Sequence, residues 1–227
     1  MVGGALRTPP HFPLSLTRLP ADAAGPLVAE VAEIDPAVPV VMGPKPAVAG
    51  LAQAWSERTG AVVHPGRRQR IYELTEVVPP LRAASGRLRE AVAEELDLVA
   101  SWGAAFDEET DLPRVDSRVR AQNWLDAGGL FVWEDLARSD KEPVCMAAAV
   151  GFTPHGARIG FVYTPPKHRG RGYGTACTAS LSQRLLDEGR RFCCLYTDLA
   201  NPTSNRIYQQ IGYRPVCDVG EAHFGKP

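Results

Sequence analysis

The stretch that decides the fold is residues 162–175, VYTPPKHRGRGYGT. The apolar run ARIGFVYT leads into it and predicts a buried strand. Over residues 175–188, Cys177, Leu181 and Leu185 recur at four-residue spacing, which predicts an amphipathic helix. The stretch is therefore read as a strand, a turn with three glycines at alternate positions, and a helix.

The turn inside this stretch has the chemistry of an anion site. Glycine has no Cβ, so the backbone at Gly170, Gly172 and Gly174 can approach a phosphate closely, and a helix start adds partial positive charge. Arg169 and Arg171 bring full charges nearby. The pattern is neither GxxxxGK[ST], because the lysine is missing, nor GxGxxG, because the third glycine comes one residue early. A purely structural turn stays open as the alternative.

Downstream of this helix the chain continues as strand, helix and strand. The apolar residues 192–197 (FCCLYT) predict a buried strand. Asn201 and Pro202 predict a helix start, with an N-cap side chain followed by proline at the first helical position. Gly212 would close that helix, and residues 213–219 predict the last strand.

Upstream, two apolar runs at 143–153 and 157–164 flank a Pro-His-Gly turn and predict a hairpin. Residues 130–134 predict a further strand. Residues 88–106 and 118–126 predict helices. From residue 85 onward the predicted order is helix, helix, three strands, helix, strand, helix, strand.

The first 80 residues predict a shorter series of the same kind. The predicted elements are a strand at 3–7, a helix at 21–33, a strand at 38–42, a helix at 45–59 and a strand at 70–77. A TPPH segment near residue 8 resembles TPPKH at 164. We expect residues 1–80 to be a degenerate partial repeat of a second domain, 81–227, with a linker at Val78-Pro79-Pro80. An unrelated β-α-β extension is the alternative.

Two motifs in this order resemble the GNAT superfamily of N-acetyltransferases. The first is R-x-x-G-x-G after a strand, formed by Arg169, Gly172 and Gly174. The second is an asparagine, Asn201, with Tyr208 seven residues later and a Gly-Tyr pair at 212–213. The resemblance covers about residues 85–219, and its details are most similar to the glycine-N-acyltransferase-like branch.

The resemblance implies an α/β fold with a mixed, mostly antiparallel sheet flanked by helices and splayed between its fourth and fifth strands. Acetyl-CoA would enter at the splay as the acyl donor, with no metal. An amine would attack the thioester directly, through a tetrahedral intermediate whose oxyanion is held by backbone N–H groups of the fourth strand. The positions implied to bind acetyl-CoA are Val162, Tyr163, Thr164, Arg169, Gly170, Arg171, Gly172, Tyr173, Gly174, Thr175, Asn201 and Ser204.

The resemblance also implies a catalytic role for Tyr208, which would protonate the departing thiolate. A tyrosine pKa near 10 keeps the hydroxyl protonated at neutral pH; a packed core tyrosine is the alternative. Some family members use a glutamate base, but Tyr196 stands at that position here. Asp198, Glu134 and Asp135 are other carboxylates nearby, and no base is assigned.

Several residue types with reactive side chains are expected to be structural. The five cysteines and five histidines form no metal or disulfide pattern, and Cys193 and Cys194 are expected to pack in a strand. His155 and His168 lie in predicted turns. Trp102 and Phe106, one helical turn apart, would either line an acceptor pocket or pack in the core.

Composition narrows the class of protein further. Hydrophobic residues make up 44% and charged residues 22% of the 227 residues, and the net charge is −1, which favours an ordinary globular protein with neither nucleic acid nor membrane as partner. Without a signal-peptide pattern at its start, the chain is expected to be cytoplasmic. The acceptor is expected to be a small-molecule or peptide amine, and a homodimer stays open. The rival functions are a non-catalytic acyl-CoA-binding regulatory module and a ligand-free structural protein.

Overall fold

The computed structural model describes residues 3–7, 12–82, 84–112, 115–137 and 142–226. The TPPH segment lies outside the described residues. The chain divides into two compact units, and each is discontinuous in sequence. The first unit contains Met1–Ile71, Thr197–Pro202 and Pro215–Pro227, and the second contains Tyr72–Tyr196 and Thr203–Arg214. The predicted linker at 78–80 lies within the second unit, and the proposed repeat relationship between 1–80 and 81–227 stays a prediction.

The helices and strands follow the chain in this order. The first nine elements are β1 Ala5–Leu6, β2 Leu14–Leu16, α1 Ala24–Ile34, β3 Val40–Pro44, α2 Lys45–Thr59, β4 Val62–Leu74, β5 Arg87–Glu90, α3 Leu96–Glu109 and α4 Ser117–Asp126. The remaining elements are β6 Leu130–Glu134, β7 Pro143–Phe152, β8 Gly156–Tyr163, α5 Tyr173–Asp187, β9 Phe192–Asp198, α6 Pro202–Gln210 and β10 Arg214–Gly225. Short 3-10 turns precede α1, α3 and α5.

In the first unit the strand order is β1-β2-β3-β10-β4, so the last strand of the chain lies between β3 and β4. β10 pairs with β3 antiparallel, from Val219 opposite Pro44 to His223 opposite Val40. β2 and β3 are parallel. Trp55 of α2 stacks on Phe224 of β10 with ring centroids 5.4 Å apart, which ties the helix to this strand.

In the second unit the strand order is β9-β8-β7-β6-β5. β5 to β8 pair antiparallel, whereas β8 and β9 are parallel. The β8–β9 pairing runs only from Gly156 opposite Phe192 to Arg158 opposite Cys194, and the described residues beyond this point form no further β8–β9 pairs. The predicted mixed sheet with a splay before its fifth strand is confirmed.

Two apolar layers cover this sheet. On one face α5 packs Cys177, Leu181 and Leu185 against Ile159 and Leu195. The other face is covered by α3 and α4, and its core includes Val99, Trp102, Leu130, Val132 and Met146. No helix among the described residues is long and apolar enough to cross a membrane.

One predicted element is wrong and one is misplaced. Residues 88–106 were expected to be one helix, but Arg87–Glu90 is a strand that pairs antiparallel with β6, and the helix begins at Leu96. Pairing with the edge of the sheet overrides the weak helical pattern there. The strand expected at 70–77 begins at Val62 and ends at Leu74. The helix expected at 45–59 is confirmed.

Candidate active site

The glycine turn is left-handed at two positions and opens directly into α5. Gly170 has φ +77° and Gly172 has φ +81°, backbone angles that residues with a Cβ rarely adopt. No heavy atom lies within 4 Å of the point where a Cβ would stand at either glycine, so both face open space. α5 begins at Tyr173, so the N–H groups of Tyr173, Gly174 and Thr175 lie in the first turn, where helices lack internal acceptors. This turn can therefore hold an anion with its backbone.

The Arg169 guanidinium is bound by other groups of the protein. Its Nε donates to the Thr164 carbonyl at 2.9 Å, and its Nη2 lies 2.7 Å from both carboxylate oxygens of Glu109. The Tyr163 hydroxyl donates to the same carboxylate at 3.1 Å. Burial and then Glu109 raise the pKa of Tyr163. Glu109 was not anticipated from the sequence, because it lies 60 residues away from Arg169.

The Tyr173 side chain is buried and bound to Asp135, so it does not extend into the open space at the turn. Its ring is buried, and its hydroxyl donates to Asp135 Oδ2 at 2.6 Å. Burial and then the Asp135 contact raise the pKa of Tyr173. Arg171 is exposed and lies close enough to oppose this rise. Tyr173 thus offers a ligand its N–H, while its side chain holds the turn in place.

The carboxylates considered as bases already have partners. Glu134 is buried and pairs with Arg87 at 2.8 Å and with Arg89 at 3.7 Å. Asp135, besides its bond to Tyr173, accepts from the Ala137 N–H at 3.1 Å. Asp198 accepts from the Ala200 N–H at 2.7 Å and closes the turn that leads to α6. Each of the three carboxylates therefore already accepts a hydrogen bond or forms an ion pair within the protein.

Tyr208 lies on α6, half-buried against the core cluster under α5. Its ring meets Tyr213 edge to face at 5.9 Å. Burial is the main cause that raises the Tyr208 pKa, and the neighbouring thiols Cys145 and Cys177 add to it. Among the described residues no group hydrogen-bonds the Tyr208 hydroxyl. It is therefore a protonated donor at neutral pH whose hydrogen is available.

A polar network that the sequence did not reveal fixes α6. The buried Tyr72 hydroxyl donates to Asn205 Oδ1 at 3.0 Å and accepts from Gln209 Nε2 at 2.9 Å. Asn205 and Gln209 are four residues apart, on one side of the helix. This spacing indicates two polar side chains on one side of the helix, but it does not identify their partner Tyr72, which lies more than 130 residues earlier.

The predicted residues at the start of α6 are placed as follows. Asn201 immediately precedes the first helical residue, Pro202, and its N–H donates to the Asp198 carbonyl at 3.1 Å. Asn201 is exposed, whereas Ser204 is half-buried in the first turn. The proline at the helix start is confirmed, and the cofactor contacts of Asn201 and Ser204 stay predictions.

A bulge interrupts β8 where the strand leaves its partner β9. Tyr163 lies opposite Met146 and Gly160 opposite Ala148, so β8 has one extra residue in this interval. Phe161 at the bulge has φ +52°, an uncommon value for a residue with a Cβ. Such a bulge leaves backbone groups of the strand outside the ladder.

The bulge also changes which side chains share a face. Ala157 and Ile159 pack under α5, and so does Val162, whereas Phe161 and Tyr163 pack under α3 and α4. Regular alternation would have put Ile159, Phe161 and Tyr163 on one face. Thr164 follows the strand, with its Oγ1 3.4 Å from the Cβ position of Gly174.

Phe161 is enclosed by aromatic and cationic groups. Its ring centroid lies 4.9 Å from that of Phe106 and 4.5 Å from that of Trp124. The Arg120 guanidinium lies 4.4 Å from it and binds both Asp107 carboxylate oxygens, at 3.1 and 2.8 Å. Phe106 therefore packs on Phe161, and Trp102 is a buried core residue.

All five cysteines are free thiols, and Cys145, Cys177 and Cys193 are buried. Burial raises the pKa of Cys193 to about 12, which disfavours a thiolate. Across the ranges that the structure describes, no three His, Cys, Asp or Glu side chains form a group that could hold a metal ion.

Known proteins resemble this chain in sequence and in fold. Residues 138–219 match the family of FR47-like proteins. A mycothiol acetyltransferase of Nocardia farcinica is 29% identical over 202 residues, which is 81% of this chain and 63% of that protein. The chain thus spans less than two thirds of the length of this relative.

Solved structures share the fold at low identity. A GNAT-family acetyltransferase from Colwellia psychrerythraea superimposes with a TM-score of 0.63 at 12% identity, covering 91% of this chain and 72% of that one. A GCN5-related N-acetyltransferase from Sphaerobacter thermophilus gives 0.65 at 16% identity, covering 99% and 76%. At these identities the likeness concerns the fold.

Proposed function

We propose that the chain is an N-acetyltransferase of the GNAT superfamily, and that it moves the acetyl group of acetyl-CoA onto a primary amine; the FR47-like match and the shared fold support this. The observation that carries the proposal is the left-handed glycine turn at Gly170 and Gly172, which opens α5 beside a strand that has already left its neighbour. A pyrophosphate fits this turn, because first-turn N–H groups and a helix start favour an anion.

The turn would hold the donor mainly through its backbone. The N–H groups of residues 172–175 would bind the pyrophosphate, and the exposed Arg171 would add charge. Residues 162–164, at the end of β8 and beyond its pairing with β9, would bind the pantetheine amides in the manner of an added strand. Asn201 and Ser204 are further predicted contacts of the donor.

Acetyl transfer would require the protein to stabilise an oxyanion and to protonate the departing thiolate. As the amine nitrogen bonds to the thioester carbonyl, negative charge develops on the oxygen, and N–H groups at the β8 bulge would stabilise it. When the C–S bond breaks, Tyr208 would give its proton to the thiolate. The ammonium proton would leave to water, since Glu134, Asp135 and Asp198 are all held in other contacts.

A second function is compatible with the contacts of the three carboxylates. The same engagement of all three carboxylates would suit an acyl-CoA-binding regulatory module without turnover. A panel of amines, with amines related to mycothiol included because of the Nocardia relative's name, separates the two. Release of free CoA with any of them supports the transferase. Tight acetyl-CoA binding with no release across the panel supports the module.

The binding step has a matched pair of variants. Calorimetric titration with acetyl-CoA would compare Gly172→Glu with Gly189→Glu. Both glycines have positive φ and open space around them, and they lie at opposite ends of α5. We expect binding to be lost only in Gly172→Glu, because it puts a negative charge at the pyrophosphate. Equal losses in both variants, or no binding by the parent protein, would refute the assignment.

A further inference from the structure

The first unit contains a groove that the proposed transfer does not use. Its volume is about 550 Å³, within the range of roughly 300–1,000 Å³ of small-molecule sites. It lies between α2 and the strands β4 and β10, and every residue that lines it belongs to the first unit. Its apolar wall is formed by Val48, Ala49, Ala52, Val63, Val219 and Ala222.

The room in this α2 groove comes from small side chains. Ala49 and Ala52 face it from α2, and Gly220 lies on β10 with no heavy atom within 4 Å of its Cβ position. Val63, at 37% exposure, and the exposed Ala49 give the groove apolar surface in contact with water, whereas the other apolar wall residues are buried. An apolar ligand body would remove that surface from water, which is favourable.

Charge is distributed unevenly along the groove. Arg70 donates to Asp218 through Nε and Nη2, at 2.5 and 3.1 Å, so one lining carboxylate is already neutralised by its own partner. Lys45 and Arg68 also line the groove and lie near enough to Asp218 to help lower its pKa, after Arg70. Within the described part of the chain, neither the Lys45 ammonium nor the Arg68 guanidinium has a hydrogen bond or an ion pair. Two cations are thus available at this end of the groove.

Two further carboxylates line the groove, those of Glu221 and Glu57. The Glu221 side chain is 6% exposed and is bound by Arg67 at 2.7 Å. Glu57 accepts from Gln53 at 2.9 Å, one turn along the same helix. Glu57 lies about three turns beyond Lys45 on α2, and Glu221 is paired, so the Lys45–Arg68 end has excess positive charge.

We propose that the α2 groove binds a small amphiphile with an apolar body and one anionic head group, a carboxylate or a sulfate, with the head at Lys45 and Arg68. The apolar walls select the body, and the two cations select the sign of the head. This site is independent of acetyl transfer and stands whether or not the chain is an acetyltransferase.

The test is calorimetric titration of the full chain with octanoate, octyl sulfate and octylammonium, which share one apolar tail. We expect both anions to bind with one site per chain, and octylammonium to bind about tenfold more weakly or worse. The double variant K45E/R68E should weaken octanoate by at least about tenfold. Equal binding of octylammonium and octanoate would overturn the head-group assignment.

The position of the ligand has its own control. Ala49→Trp fills the groove from an exposed position, whereas Arg58→Trp adds the same ring to an exposed site of α2 outside it. Only Ala49→Trp should abolish octanoate binding. In the unaltered protein, the Gly220 amide resonance should shift on titration with octanoate, which tests the site even if a variant misfolds. No octanoate binding, or binding indifferent to Ala49→Trp with a static Gly220 resonance, would refute the proposal.

Discussion

Arg120 lies 4.4 Å above the ring of Phe161, the residue with the left-handed backbone at the β8 bulge. Asp107 holds the guanidinium there through two hydrogen bonds, and the Gly103 carbonyl accepts a third at 3.1 Å. Positive φ in a residue with a Cβ costs of order 1–3 kcal/mol and persists only when its surroundings enforce it. The Asp107–Arg120 pair and the aromatic rings supply that enforcement.

Asp107→Asn is expected to loosen the bulge. Asp107 is 3% exposed, and its loss leaves Arg120 without its counter-charge, which should lower the free energy of unfolding by about 2–4 kcal/mol. If the bulge carries the oxyanion donors, kcat should fall about tenfold or more while the Kd of acetyl-CoA changes little. Urea unfolding and steady-state kinetics measure the two effects. An unchanged kcat in a folded variant would show that the bulge does not depend on this pair.

Phe161→Gly and Phe161→Ala separate backbone strain from ring packing. Both lose the same aromatic contacts, but only glycine adopts φ +52° without penalty. Phe161→Gly should therefore be more stable than Phe161→Ala by about 1 kcal/mol, against the usual preference for alanine. Chemical denaturation of the two variants decides this. The reverse order would mean that residue 161 is not held left-handed in solution.

Tyr208→Phe should separate catalysis from binding. Loss of a general acid costs about 10²–10⁴-fold in rate, and the ring itself remains, so the Kd of acetyl-CoA should stay near that of the parent. Single-turnover rates and calorimetry give the two numbers. A variant with the parental rate would leave Tyr208 as a packing residue.

The pH dependence follows from the direction of the Tyr208 pKa shift. Burial raises this pKa above the ordinary value of 10.0, and the hydroxyl is the active form when protonated. The proton is therefore retained as pH rises, and the rate should not decline from Tyr208 ionisation up to about pH 10. A pH–rate profile with a limb that falls below pH 9 and vanishes in Tyr208→Phe would contradict this environment.

Arg169→Gln should be milder than its place in the motif suggests. Its guanidinium is bound to Glu109, and the pair is about half exposed, which limits its contribution to stability to about 1 kcal/mol or less. The backbone of the turn remains, so the affinity for acetyl-CoA should fall less than about tenfold. Calorimetry beside Gly172→Glu gives the comparison, and losses of equal size would assign the phosphate contact to the Arg169 side chain.

Local chemistry accounts for the parts of the fold that the sequence predicted well. The helix at 45–59 follows from a proline in its first turn and from Gly60, which ends it with φ +74°. The turn at 169–175 follows from glycines whose backbone conformations other residues rarely adopt. Such signals lie within a few residues of the structure they specify, so they can be read without knowledge of the rest of the chain.

The sequence by itself therefore determined the strand–turn–helix unit, the position of Tyr208 on α6 and the family resemblance. Only the tertiary structure decided that Arg87–Glu90 is a strand, that β10 lies between β3 and β4, and that the bulge moves Phe161 and Tyr163 to the opposite face. It also decided which carboxylates are occupied, as with Glu109 at Arg169 and Asp135 at Tyr173. The physical reason is that strand pairing, register and ion pairs join residues distant in sequence, and their energy depends on which partners the whole fold brings together.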